Sequence, residues 1–177
     1  MADNKTVVFI GRRFNVERLS VPGANGKSRP YEIVAHPGAA VILPLLDNGD
    51  VVLIRNCRPA VEQELLELPA GTLDDETPLA CARRELTEET GYRAERVEPL
   101  VSFYSSPGIC TERLHAFVAT GLQPGPTRHE PDEQIRVTPL PHDEAIRAIA
   151  DGRIVDAKTI VTLLYSDRFR RGKGASV

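Results

Sequence analysis

Hydrophobic and polar positions change period several times along the chain, and each change marks an element. "KTVVFIG", "FNVERLSV" and "YEIVAH" alternate with period two and are rich in valine, isoleucine and phenylalanine, which predicts three strands. Between the last two, Asn25-Gly26 favours a tight hairpin turn. "AAVILPLL" is a near-continuous apolar run suited to a strand covered on both faces, and "DNGD" turns it into "VVLIRNC", predicting a central hairpin. "LLELPAG" reads as one further short strand ending at Gly71. From Pro78 to Thr90 the period becomes helical, with Leu79, Ala82 and Leu86 on the apolar side, Thr77 as N-cap, Pro78 in the first turn and Gly91 as C-terminal cap. Strands resume at "VEPLVSFYSS" and "RLHAFVATG". A loop rich in proline and charge, Gln123 to Gln134, leads into "IRVTPL", and helical patterns from His142 to Asp151 and from Asp156 to Asp167 close the chain. This order predicts an α/β sandwich, a mixed sheet between helices.

Length and charge narrow the picture. The 177 residues suit a single domain with a real core. A net charge of −3 leaves no electrostatic footprint for nucleic acid or an anionic membrane, so neither is expected as a partner. Cys57, Cys81 and Cys110 are widely spaced and form no CxxC pair, which predicts reduced, mostly buried thiols rather than disulfides or zinc ligands. The start, "MADNKTVVFIGRR", lacks a signal-peptide run and no segment reaches membrane-spanning length, so a cytoplasmic protein is expected.

The chemistry is concentrated in "GTLDDETPLACARRELTEETGY". Glu85, Glu88 and Glu89 stand at i, i+3 and i+4, so they share one helix face in the last two turns, where like-charge repulsion and the helix dipole both disfavour them. Spacing alone leaves two readings open: a solvated face braced by Arg83 and Arg84, or a site where hard carboxylate oxygens hold Mg²⁺ or Mn²⁺.

The longer pattern decides between them. Glu76, seven residues, Arg84-Glu85-Leu86, one residue, Glu88-Glu89, one residue and Gly91 resemble the Nudix box in register. Two departures are visible: Gly71 lies one residue closer to Glu76 than in the usual pattern, and Tyr92 occupies an aliphatic position. The resemblance implies a Nudix-type α/β/α sandwich with a mixed sheet and an N-terminal antiparallel strand extension. It also implies that Glu85, Glu88 and Glu89 bind Mg²⁺, with Mn²⁺ as a substitute, while Arg84 braces the face.

Features outside the box are similar to the ADP-ribose pyrophosphatase group. "SSPGICTE" resembles that group's substrate-pocket turn and nominates Glu112; "IRNCRPAV" nominates Arg58 as a substrate contact. "LLELPAG" nominates the Ala70 carbonyl as a metal ligand and Gly71 beside the substrate, with Glu67 near the site. "HEPDEQIRV" resembles the acidic loop that supplies a base or a further metal ligand; Glu133 aligns best, with Glu130 and Asp132 as alternatives. Glu133, Glu88 and Glu89 are then the catalytic carboxylates.

The resemblance also implies a homodimer formed through the N-terminal strands. Residues 1–36 would be that extension, 37–170 the hydrolase domain and 171–177 a flexible tail. Glu32 and Arg29 become candidates for a base-binding pocket shared between subunits, with Phe14 or Tyr31 supplying a ring in a chain without tryptophan. The implied reaction is hydrolysis of ADP-ribose to AMP and ribose 5-phosphate. "VVLIRNCRPAV" and "ELLELPAGTL" also resemble GDP-mannose hydrolases, the alternative substrate class, and a nucleotide-binding module without turnover is the alternative of another class.

Overall fold

The computed structural model describes residues 5–128 and 134–170. Three strands, β1 (Thr6–Ile10), β2 (Asn15–Pro22) and β3 (Ser28–Ala35), form an N-terminal antiparallel sheet in the order β1-β2-β3. Gly26 supplies the left-handed residue of the predicted β2–β3 turn, at φ 75°.

The body of the fold contains β4 (Ala39–Pro44), β5 (Asp50–Arg58), β6 (Gln63–Glu67), β7 (Ala70–Thr72), α1 (Pro78–Thr90), β8 (Arg93–Tyr104), β9 (Arg113–Gln123), β10 (Ile135–Pro141), α2 (His142–Ala150) and α3 (Ala157–Phe169). All six residues of β4 are buried, as its apolar run predicts. The side bearing Val41 and Leu43 packs with Val51 and Leu53 of β5, Ala145 and Ala148 of α2 and Leu163 of α3. The opposite side, Ala40 and Ile42, packs against Cys81, Ala82 and Leu86 of α1. Helices therefore cover both sides of the strand layers, the mixed α/β sandwich expected from the pattern.

Two local expectations are corrected. β4 and β5 do not make a central hairpin. They meet at a single bridge, Leu45 to Val51, and separate into sheets ordered β7-β4-β9-β8 and β10-β5-β6. A strand has two hydrogen-bonding edges, and those of β4 are taken by β7 and by the parallel β9, while β5 uses both of its own on β6 and β10. "LLELPAG" is likewise not one strand. It breaks at Leu68-Pro69, so that β6 stays with β5 while β7 crosses to β4. Pro69 has no N–H for a ladder, and its carbonyl accepts from the Ile42 N–H at 2.9 Å, which steers the chain between the sheets.

α1 has the predicted bounds. The Thr77 hydroxyl accepts from the Ala80 N–H, and Gly91 closes the helix at φ 75° with its N–H on the Thr87 carbonyl. The apolar face is rotated from the predicted one, however: Leu79 is exposed, and Cys81 joins Ala82 and Leu86 in the core. Of the cysteines only Cys81 is buried, Cys57 being exposed and Cys110 half-buried; all three are free thiols. Among the described residues, no helix is long and apolar enough to cross a membrane.

Candidate active site

α1 presents its acidic face to a cleft of about 720 Å³ whose walls come from β4, β5, β7, the β8–β9 loop and the start of α3. Glu85, Glu88 and Glu89 all line it, together with Ala70, Gly71, Arg58 and Glu112, so seven residues nominated from four separate chain segments meet in one place.

Arg84 organises the acidic face. Its Nη1 donates to Glu85 at 2.7 Å and to Glu88 at 2.8 Å, while Nε and Nη2 both reach Glu76, at 3.0 and 2.6 Å. Burial would push this guanidinium down, but the hydrogen bonds it donates to Glu76 and Glu88 raise it well above the ordinary arginine range, so it is a permanent cation. Glu89 is buried, and its Oε2 accepts the Ala70 N–H at 2.9 Å, which locks β7 to the end of α1.

Gly71 is adjacent, and its identity follows from this contact. A Cβ built there would lie 1.7 Å from Oε1 of Glu85. Close approach, not backbone conformation, is what demands glycine here. In the shorter box loop Asp75 takes a left-handed conformation at φ 54°. Cys81, on the inner side of α1, is pushed by burial to about 12 and is no nucleophile.

Arg58, at the end of β5, donates from Nε and Nη2 to Glu67 at 2.8 and 2.5 Å. Glu67 is fully buried rather than on an open strand face, and Lys158 of α3 also reaches it, at 2.6 Å. Burial pushes the Glu67 carboxyl up, yet the Arg58 hydrogen bonds and the Lys158 charge outweigh this and hold it below the usual glutamate range.

The β8–β9 loop is held by the N-terminal sheet. Val34 N–H donates to the Ile109 carbonyl at 2.8 Å, Thr111 N–H to the Val34 carbonyl at 2.9 Å, and the Tyr31 hydroxyl to the Gly108 carbonyl. Glu112 enters the cleft from the end of this loop, near His36 Nδ1 at 3.7 Å.

Other nominated residues stand elsewhere in this chain. Glu32 is on the exposed face of β3, bonded to Arg18 at 2.9 Å, and neither it, Arg29, Phe14 nor Tyr31 lines the cleft. Glu133, Glu130 and Asp132 lie outside the described residues. The cleft wall also includes residues that sequence reasoning passed over: Arg12 and Arg13 from the β1–β2 turn, Phe103 and Tyr104, and Asp156 with Lys158. The consecutive arginines of "GRRF" were the visible signal for the first pair; α3 gave none, because "DAKT" reads as an ordinary helix start.

Among the described residues, no three His, Cys, Asp or Glu side chains already form a closed ligand cage. The donors that face the cleft are nevertheless of the right kind for a hard divalent cation: carboxylate oxygens on one helix face, with a glycine leaving room beside Glu85.

Comparison with known proteins agrees with this geometry. The family model described as NUDIX domain matches residues 35–163. The chain is 37% identical over 161 residues to a methanol dehydrogenase activator of Bacillus methanolicus, covering 89% of this chain and 87% of that one. It is 34% identical over 164 residues to an ADP-ribose pyrophosphatase of Bacillus subtilis (strain 168), covering 91% and 89%. A GDP-mannose pyrophosphatase of Yersinia enterocolitica is 42% identical over 138 residues, covering 73% and 72%. A crystal structure of an ADP compounds hydrolase superposes with a TM-score of 0.85 over 99% of this chain and 96% of that one, at 24% identity, so the likeness is one of fold. With the box in register on α1, the cleft before it and a family match across most of its length, the chain belongs to the Nudix family.

Proposed function

We propose that this Nudix hydrolase cleaves the pyrophosphate bond of ADP-ribose, with Mg²⁺, to give AMP and ribose 5-phosphate. The observation that carries the reading is the convergence of the α1 carboxylates with Arg58 and Glu112 on a cleft of about 720 Å³, within the size range of small-ligand sites.

Glu85, Glu88, Glu89 and the Ala70 carbonyl are the groups that would hold the cation. Bound Mg²⁺ supplies charge neutralisation at the pyrophosphate oxygens and lowers the pKa of a coordinated water. Arg84 braces Glu85 and Glu88 by donating a hydrogen bond to each. Arg58 offers guanidinium N–H groups to an anionic oxygen of the substrate, Gly71 lets the substrate and Glu85 approach the same strand, and Glu112 accepts hydrogen bonds from the far side of the cleft. Glu133 is proposed as the base or a further ligand.

GDP-mannose is the second reading, favoured by the 42% identity to a GDP-mannose pyrophosphatase. A product-identified panel of ADP-ribose, GDP-mannose, UDP-glucose and NADH with Mg²⁺ separates the two. AMP released from ADP-ribose by the wild type, and lost by about 10³-fold in Glu89→Gln, is the expected result. Faster GMP release from GDP-mannose would transfer the assignment. Tight binding with no turnover of any member would leave a binding module.

We further propose that residues 1–36 dimerise the enzyme. Among the described residues β1 ends its sheet with an unpaired edge and leaves Val7, Val8, Phe9 and Ile10 exposed, a surface suited to a second copy of the chain.

A further inference from the structure

Glu67 closes β6 in the core of the protein, only 1% exposed, so its charge must be met by protein donors. Three meet it. Arg58 Nε reaches one oxygen at 2.8 Å; the other receives Arg58 Nη2 at 2.5 Å and Lys158 Nζ at 2.6 Å. Lys158 is held in turn by Asp156 at 3.0 Å. The second oxygen of Asp156 caps α3 through the Thr159 N–H at 3.0 Å, and the Thr159 hydroxyl receives the Leu68 N–H at 2.8 Å. The first turn of α3 is thus bonded both to the Glu67 side chain and to the backbone that leads into β7.

The consequence for Arg58 is directional. Its Nε–Nη2 edge is taken by Glu67, whereas Nη1 makes no hydrogen bond with the described residues, and the side chain lines the cleft. A guanidinium docked along one edge has lost much of its rotamer freedom and presents the other edge as a ready donor pair for an anionic oxygen. Glu67 can aim that edge only if Glu67 is itself fixed, and the group that fixes it from the α3 side is Lys158.

We propose that Lys158 is a positioning residue for substrate binding: by anchoring the Glu67 carboxylate it keeps the free edge of Arg58 turned into the cleft, toward the anionic part of a nucleoside diphosphate sugar. The inference rests on Arg58 being a substrate contact, as set out under the proposed function. A merely structural Lys158 would staple α3 to β6 and affect thermal stability alone.

The test is steady-state kinetics on ADP-ribose for wild type, Lys158→Met, Lys158→Arg, Arg58→Met and the double variant Arg58→Met/Lys158→Met, with Tm measured for each. Lys158→Met raises KM by about tenfold while kcat stays within about twofold, because binding common to ground and transition states is what weakens. Lys158→Arg, which keeps the cation, stays within about threefold of wild type in KM. In the Arg58→Met background the lysine substitution changes KM by less than about twofold, since the residue it positions is gone. An unchanged KM in Lys158→Met, or an undiminished KM rise in the Arg58→Met background, overturns the proposal.

If the wild type hydrolyses nothing in the panel, the functional reading fails and positioning is judged by NMR. The Arg58 Nε–H signal, assigned by its loss in Arg58→Met, exchanges slowly in wild type and about tenfold faster in Lys158→Met. Equal exchange in the two proteins overturns the proposal without any catalytic assay.

Discussion

At the scale of single residues, the site is governed by close fits that place its carboxylates. Gly71 is the clearest case: an added methyl meets Oε1, Cδ and Cγ of Glu85, at 1.7, 2.0 and 2.7 Å. The backbone at 71 is not in the left-handed region, so alanine is conformationally acceptable and its whole effect falls on the Glu85 carboxylate. Gly71→Ala is therefore expected to fold with little change in Tm and to lose about 10²-fold in kcat/KM, the scale of an ångström-sized misplacement of a reacting group. Near-wild-type turnover in that variant would show that Glu85 does not act where α1 places it. Glu89 is placed by a different device, a hydrogen bond from a strand backbone N–H, which explains how a carboxylate can be buried at the negative end of a helix.

At the scale of elements, the decisive features are the ends. α1 starts at a threonine cap and stops at a left-handed glycine, and its last two turns carry the acidic face. β5, β6 and α3 meet at the buried cluster of Arg58, Glu67 and Lys158, which ties sheet to helix. This cluster has a definite pH signature. The folded pKa of Glu67 lies below the ordinary glutamate value of 4.5, so the folded state binds fewer protons than the unfolded one through that range. Its stabilising contribution is complete above pH 4.5 and is lost as pH falls through the lowered folded value. In urea melts of wild type against Glu67→Gln, the wild-type advantage should be constant at neutral pH and shrink on acidification below pH 4.5. An advantage that grew in acid would contradict the sign of the shift.

At the scale of the whole molecule, the N-terminal sheet both supports the site and invites association. β3 fixes the β8–β9 loop that delivers Glu112, and the β1–β2 turn brings Arg12 and Arg13 to the cleft. β1, at the other edge, leaves Phe9 54% and Ile10 78% exposed, and on this surface the proposed dimer rests. Light scattering is expected to give a dimer for the wild type and a folded monomer for the double substitution Phe9→Lys, Ile10→Lys. A monomeric wild type at micromolar concentration would remove the dimer from the account. Glu32, Arg29, Phe14 and Tyr31, nominated for a shared base pocket, have their place in the argument only through such a partner; within one chain Tyr31 instead ties down Gly108.

Much of this was legible in the chain itself. The bounds of α1, its caps, the register of Glu85, Glu88 and Glu89 and the bracing by Arg84 depend on residues within a few turns of one another, and short-range geometry is what sequence spacing encodes. The buried character of β4 and the Asn25-Gly26 turn are local in the same sense. What only the tertiary structure decided is which edge each strand uses and what surrounds each charge. β4 and β5 part although a tight turn joins them, "LLELPAG" splits at Pro69 between two sheets, and Leu79 faces water where its spacing suggested the core. Glu67 and Lys158 are 91 residues apart, yet their ion pair fixes Arg58. Pairings of that kind have no signature in spacing, because they form only when separate elements have packed and the buried carboxylate must find its cations.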